Sequence, residues 1–277
     1  MGLRINTNVS SLAAQRALGN TKMNLDNNLR KLSSGERITR SADDAAGLAI
    51  SEKLKAHIRG VRQAKRNSDD GISLIQTAEG GLNEISNIVI RLRELSVQAA
   101  SDTVGEAERG FSNIEFQQLL DEIQRISKGS EFNGRKLLDG SGGIVDVQVG
   151  IFNDPTLDRI SYDSISTDAT IESLGLLGEQ IASKEGAQLS LAKLDQALLR
   201  INGTRANLGA LQNRLQSAST TLAITDENFS AANSRIRDVD VAAETADMTK
   251  NNILNQAGVS VLSQANQAPQ AALKLIG

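Results

Sequence analysis

The side chains in this sequence that could carry chemistry are few. His57 is the only histidine in a chain of 277 residues, and no cysteine occurs. One histidine rules out the two-histidine zinc motif and leaves a Ser-His-Asp arrangement with a single candidate base. His57 sits among Lys53, Lys55, Arg59 and Arg62, so it reads as a solvated residue of a charged helix face. Two carboxylate doublets, Asp43-Asp44 and Asp69-Asp70, raise metal binding or acid–base work. Adjacent helical residues point about 100° apart, so neither doublet converges on one ligand, and helix-start or surface roles fit better. Gly140-Ser141-Gly142-Gly143 lacks the lysine of a phosphate-binding loop and the spacing of a dinucleotide fold, and reads as a flexible lead into a strand. The basic run Lys53, Lys55, Arg59, Arg62, Lys65 and Arg66 could attract nucleic acid, but no aromatic side chains are interleaved with it. The triplets Asn8-Val9-Ser10, Asn202-Gly203-Thr204 and Asn228-Phe229-Ser230 match the glycosylation pattern, yet each lies in or beside a predicted helix and is taken as a chance match. The expectation is no catalytic, cofactor-binding or metal-binding residue, no cofactor, no nucleic-acid partner and no enzyme.

What remains is architecture. The chain is 39% hydrophobic with a formal charge of −3, and its aromatics are only five Phe and one Tyr, with no Trp. Any core is therefore aliphatic, which suits narrow helical bundles. No apolar run approaches the ~20 residues of a membrane span, so no membrane partner is expected. The opening Met-Gly-Leu-Arg-Ile-Asn-Thr-Asn has no apolar core for a secretory signal. The only prolines, Pro155 and Pro269, leave long tracts in which helices can run unbroken.

Ile5, Val9, Leu12, Leu18, Leu25, Leu29 and Leu32 form an apolar stripe that Ser33-Ser34-Gly35 ends, predicting one amphipathic helix within residues 3–33. Ser41 or Asp43 can cap a second helix. In it Ile75, Leu82 and Val89 fall seven apart and Ile85, Leu92 and Ala99 fill the complementary position, with Gly80-Gly81 as a weak point. Phe116, Leu119, Leu120, Ile123 and Ile126 mark a third. Leu194, Ile201, Leu208, Leu215 and Leu222 hold a strict seven-residue interval, interrupted at the second seam position by Arg205 and Gln212; that helix is roughly 60 Å long at 1.5 Å per residue. Between the halves, Val145, Val147, Val149 and Ile151 alternate with polar residues or glycine, Asn153-Asp154-Pro155-Thr156 supplies a turn, and Leu157, Ile160 and Tyr162 return. The fold class is mainly α, a long antiparallel helical bundle or coiled coil formed by the N- and C-terminal halves, with a small central β-hairpin region.

Residues 1–40 carry seven basic groups against two acids (+5), and residues 238–277 carry four acids against two basic groups (−2), so the ends attract. A pair of helices covers one side of each, which leaves the rest of both apolar stripes in water. The missing partner is another molecule, because a two-helix contact alone does not offset about 1–2 kcal/mol of backbone entropy per ordered residue.

Ile5-Asn6-Thr7-Asn8, Leu32-Ser33-Ser34-Gly35 and the run from Ser41 to Ile50, together with Ala232-Asn233-Ser234-Arg235-Ile236, Asp238, Asp240, Ala243-Glu244 and Gln264-Ala265-Asn266-Gln267 with Pro269, carry a resemblance: aligned at both ends, the sequence resembles bacterial flagellin. The resemblance covers roughly residues 1–140 and 187–277. It implies a secreted structural subunit of the flagellum, exported unfolded by the flagellar type III system and polymerised into a helical propeller for motility. Implied partners are further copies of itself in a filament, an export chaperone, the cap and hook–filament junction proteins. The implied domains are an inner-core helix over 1–42, a helical rod domain over 43–237 with its hairpin at about 141–166, and a second inner-core helix over 238–277. Subunit contacts are then expected at Ile5, Val9, Leu12, Leu18, Leu25, Leu29, Leu32, Ile253, Val261 and Leu262. The segment from Arg91 to Gln98 is similar to the one read by the animal Toll-like receptor for flagellin, with Arg91, Leu95 and Glu115 at the contact positions and Ile90 where a glutamine is common. Two other readings are a metal-dependent peptidase inserted in the centre, against which the single histidine and short central segment argue, and the hook–filament junction protein, which shares the terminal helices.

Overall fold

A computed structural model describes residues 7–273 of the chain, with side chains described as far as Gln267. Five helices and two small antiparallel sheets follow in order: α1 (Val9–Ser34), α2 (Ala45–Ala99), α3 (Glu106–Gly129), β1 (Glu131–Phe132), β2 (Arg135–Lys136), β3 (Ile144–Gln148), β4 (Arg159–Asp163), α4 (Lys184–Arg237) and α5 (Val241–Leu273). The mainly helical fold with a small β region is thus observed. The chain divides into two compact units, one of residues 1–57 with 228–277 and the other of residues 58–227.

In the unit of residues 58–227, the heptads do what their spacing predicts. Ile75, Leu82, Ile85, Val89, Leu92 and Ala99 of α2 are buried, as are Leu194, Ile201, Leu208, Leu215 and Leu222 of α4, and Phe116, Leu120 and Ile123 of α3 complete the aliphatic core. Arg205, at the interrupted seam position, turns outward to a loose ion pair with Glu79 at 3.9 Å. The Gly80-Gly81 step does not break α2. A Cβ on Gly81 would stand 2.7 Å from Ser130 Oγ and 2.8 Å from Leu138 Cδ1, so this glycine admits the segment after α3 onto the helix. Arg109, buried in α3, donates from Nε to the Ala99 carbonyl and from Nη2 to the Ser101 carbonyl, both at 2.8 Å. It thereby satisfies carbonyls that the end of α2 leaves open.

The central hairpin forms, but it is shorter than the alternation suggests. The β3–β4 ladder runs from Ile144 opposite Asp163 to Gln148 opposite Arg159. Beyond it the N–H groups of Val149 and Gly150 both donate to the Asp158 carbonyl, at 2.8 and 3.1 Å. Two residues facing one is a bulge, which ends pairing before Ile151. Ile160 and Tyr162 point into the core, and the Tyr162 hydroxyl donates to the Leu137 carbonyl at 2.6 Å. Burial pushes the Tyr162 phenol above its ordinary pKa, against the opposing hydrogen bond with Thr167.

Two features of this unit escape the hydrophobic pattern. A two-residue hairpin, β1–β2, turns at Asn133 and Gly134, whose φ values are 49° and 77°; the Asn-Gly pair is its signal. The irregular stretch after β4 buries Ala169, Leu174, Leu176 and Ile181. It is folded by local bonds such as Leu174 N–H to the Thr170 carbonyl at 2.9 Å, which leave no period to read.

Candidate functional site

The unit of residues 1–57 and 228–277 is built differently. Asn8 caps α1, accepting from the Ser11 N–H at 3.1 Å, and Gly35 in the left-handed region (φ 72°) closes it. The cap of α2 falls one residue beyond expectation. Asp43 Oδ2 is occupied by the Thr39 N–H, the Thr39 hydroxyl and the Arg40 N–H at 2.9–3.0 Å, and the Thr39 bonds hold its carboxyl below the ordinary range. Asp44 therefore takes the cap, accepting from Gly47 N–H at 2.8 Å. A Cβ on Gly47 would meet Asp44 Oδ2 at 2.4 Å and Ile38 at 2.8 Å, which accounts for glycine at that place.

Helices α1 and α5 pack against each other, antiparallel, and the bonds between them are polar. Asn8 Nδ2 donates to the Ala265 carbonyl at 2.7 Å, the Ser11 hydroxyl donates to Asn266 Oδ1 at 2.7 Å, and Lys31 lies 3.6 Å from Glu244. Leu18 rests on Gly258, where a Cβ would stand 3.1 Å from its Cδ1. Ala14, Leu18, Thr21, Leu25 and Leu32, all half-buried, fall at three- and four-residue steps with the buried Ser11 and Asn28, a heptad seam with polar residues at several core positions.

The stripe expected on these helices is thereby divided. Leu18, Leu25, Leu32 and Leu262 are half-buried, whereas Val9, Leu12, Leu29, Ile253 and Val261 are exposed. Ile5 lies outside the described residues. Val9 is 62% exposed and Ile253 61%, far above what a packed aliphatic side chain shows. Met23, Ile50, Val241, Leu254 and Val259 add to this apolar surface, and among the described residues of the unit Ile38 is the one buried hydrophobic side chain.

Of the residues expected to meet the receptor, Arg91 and Glu115 stand together across α2 and α3. Arg91 Nε and Nη2 bond Glu115 Oε1 at 3.0 and 2.9 Å, and Nη1 bonds Glu94 at 2.9 Å. Both side chains are about half exposed, and bonds to Glu94 first and Glu115 second raise the pKa of Arg91. Leu95 is 2% exposed and belongs to the core. His57 is half-buried and tilts its ring against Phe229 at 5.9 Å. Asp69 accepts from the Ser219 hydroxyl at 3.1 Å. Among the described residues no group of three or more His, Cys, Asp or Glu is arranged to hold a metal, and no helix is long and apolar enough to cross a membrane.

Paired end helices with apolar faces turned outward define a self-assembling helical structural protein. The profile of the bacterial flagellin N-terminal helical region matches residues 5–142, and that of the bacterial flagellin C-terminal helical region matches residues 191–276. A flagellin of Halalkalibacterium halodurans is 46% identical over 272 residues, covering 98% of this chain and 99% of its own. A flagellar filament 30.7 kDa core protein of Treponema maltophilum is 43% identical over 287 residues, with 98% and 99% covered. The crystal structure of Bacillus cereus flagellin aligns at a TM-score of 0.51 and 32% identity, over 57% of this chain and 88% of that one. The chain belongs to the bacterial flagellin family. It is a structural subunit of the flagellar filament, an extracellular part of the bacterial cell.

Proposed function

We propose that the filament is held together by the outward faces of α1 and α5. The observation that carries this reading is the exposure of Val9, Leu12, Leu29, Ile253 and Val261 on a unit that buries one hydrophobic side chain, Ile38, among its described residues. Each is about half exposed, so covering the rest contributes roughly half of the about 1.5–3 kcal/mol of a complete burial, and neighbouring copies are what cover it. Leu18, Leu25, Leu32 and Leu262 hold the pair from inside. In this reading residues 1–42 and 238–277 form the inner layer and 43–237 the surrounding one. The chain performs no catalysis, leaves the cell unfolded through the flagellar type III apparatus, and meets an export chaperone, the cap and the hook–filament junction proteins on the way to its place.

Changing Val9 and Val261 to Asp in the full chain tests the reading. Both are exposed, so the monomer's circular dichroism and melting stay unchanged within about 0.5 kcal/mol, while electron microscopy finds no filaments. Polymerisation equal to the parent's ends the proposal.

The Arg91–Glu115 pair supports a second contact, with the animal Toll-like receptor for flagellin. An exposed charge pair bridging two helices is a usable anchor, and Leu95 acts from the core by fixing the helix that carries Arg91. Absence of binding between purified monomer and receptor ectodomain, with Leu95 intact, removes this contact.

A further inference from the structure

Three segments converge on one guanidinium where the terminal helices begin. Arg237, the last residue of α4, donates from Nη2 to Glu36 Oε2 at 3.1 Å, while its Nε lies 2.9 Å from Glu36 Oε1 as an ion pair without making a hydrogen bond. Its Nη1 bonds Glu52 on α2 and lies 3.4 Å from the Ser51 hydroxyl. Ser51 is fully buried and donates to Asn233 Oδ1 at 2.8 Å. The backbone joins at the same place. Glu36 and Asp238 face each other antiparallel, with the Arg37 N–H donating to the Arg237 carbonyl at 2.6 Å and the Val239 N–H donating to the Gly35 carbonyl at 3.0 Å. Arg37 Nη2 adds a bond to the Ile236 carbonyl at 2.5 Å. The Arg237 side chain is only 15% exposed.

This junction is the last fixed point before α1 and α5 run on with a polar seam between them. Direction at the base decides position at the far end, since a tilt of about 10° displaces the end of a ~39 Å helix by about 7 Å. A forked guanidinium suits the task. It bonds one carboxylate, Glu36, from Nη2 and a second, Glu52, from Nη1, a divergent pair of bonds that the point charge of lysine does not reproduce.

We propose that Arg237, through Glu36 and Glu52, is a positioning residue for assembly, setting the direction in which α1 and α5 leave the junction and so where Val9, Leu12 and Val261 stand for the next copy. The inference rests on the filament reading above and adds to it a residue that acts through the helices it aligns.

Full-length Arg237→Gln and Arg237→Lys chains test it beside the parent, with critical concentration measured by sedimentation and axial spacing by electron microscopy. Arg237→Gln raises the critical concentration about tenfold or more, the equivalent of about 1.4 kcal/mol, and filaments formed above it show altered axial spacing. Arg237→Lys gives a smaller rise. The melting of residues 58–227 stays that of the parent, and hydrogen exchange within residues 9–34 quickens. If Arg237→Gln assembles at the parent's critical concentration and spacing, the positioning role is wrong while the filament reading stands. If it abolishes the cooperative melting of the monomer, Arg237 serves folding and the positioning role is equally wrong. A parent chain that forms no filament refutes the filament reading itself.

Discussion

The two units of this molecule solve opposite problems with the same helical vocabulary. Residues 58–227 place aliphatic side chains at heptad positions of α2 and α4 and bury them, with Leu82, Leu92, Leu194 and Leu208 at 0% exposure. Residues 1–57 and 228–277 place Ser11 and Asn28 inside and turn Val9, Leu12, Ile253 and Val261 to the surface. The first unit closes a core, though Phe111, Leu157 and Leu199 stand 73–79% exposed on its surface. The second stays open, with Ile38 the one buried hydrophobic side chain among its described residues, the arrangement expected where the folding of a segment is completed by assembly. The same spacing of leucines therefore means two things. On α1 and α5 the steps between leucines are filled by Ser, Thr, Asn and Gly; on α2 the second seam holds Ile85, Leu92 and Ala99, and on α4 it is interrupted by Arg205 and Gln212, with Ser190 and Ser219 buried beside the leucines.

Truncating one apolar residue in each unit breaks this contrast most sharply. Phe116→Ala, in the closed unit, costs about 3–5 kcal/mol by leaving a cavity, read as a lower melting temperature of the monomer. Leu12→Ala, in the open unit, changes monomer stability by no more than about 0.5 kcal/mol and is felt only in polymerisation. Equal effects on the two monomers would erase the distinction.

Adjacent glycines sharpen it at a single turn of α2. Gly81→Val overpacks against Ser130 and Leu138 and destabilises by about 1–3 kcal/mol. A Cβ on Gly80 would meet nothing within 4 Å, so Gly80→Ala stabilises by about 1 kcal/mol. Denaturant midpoints of the two variants should move in opposite directions.

The smallest effect concerns pH. The folded-state pKa of Tyr162 is raised by burial, so its contribution is complete below the unfolded value of about 10 and is lost as pH rises through the higher folded value. Tyr162→Phe lowers stability at neutral pH by about 1 kcal/mol through the missing hydroxyl bond. It also flattens the decline above about pH 10 that the parent shows in denaturant titrations.

The closed unit was the more legible one. Leu194 to Leu222 announce their helix and its buried face, because a strict interval on a long helix admits one seam. The single stripe read on α1 was less complete, since a helix that packs on a partner within the chain and, in the proposed filament, on another outside it satisfies two periodic demands at once. Leu18 and Leu25 answer one, Val9 and Leu12 the other. Arg237 was invisible for a different reason: its partners Glu36 and Glu52 lie about two hundred positions away, and only the return of the chain brings them together. The cap at Asp44 was misplaced by one residue because Asp43 offers the same side chain and is already engaged by Thr39.

The one tyrosine of the chain, with no tryptophan beside it, is enclosed at 2% exposure in the hairpin. Excited beyond the absorption of phenylalanine, ultraviolet emission from this protein therefore comes from a single fluorophore seated in residues 58–227. Its quenching and anisotropy will follow the melting of that part, while the light from the solution carries no direct signal from the terminal helices as they meet their neighbours.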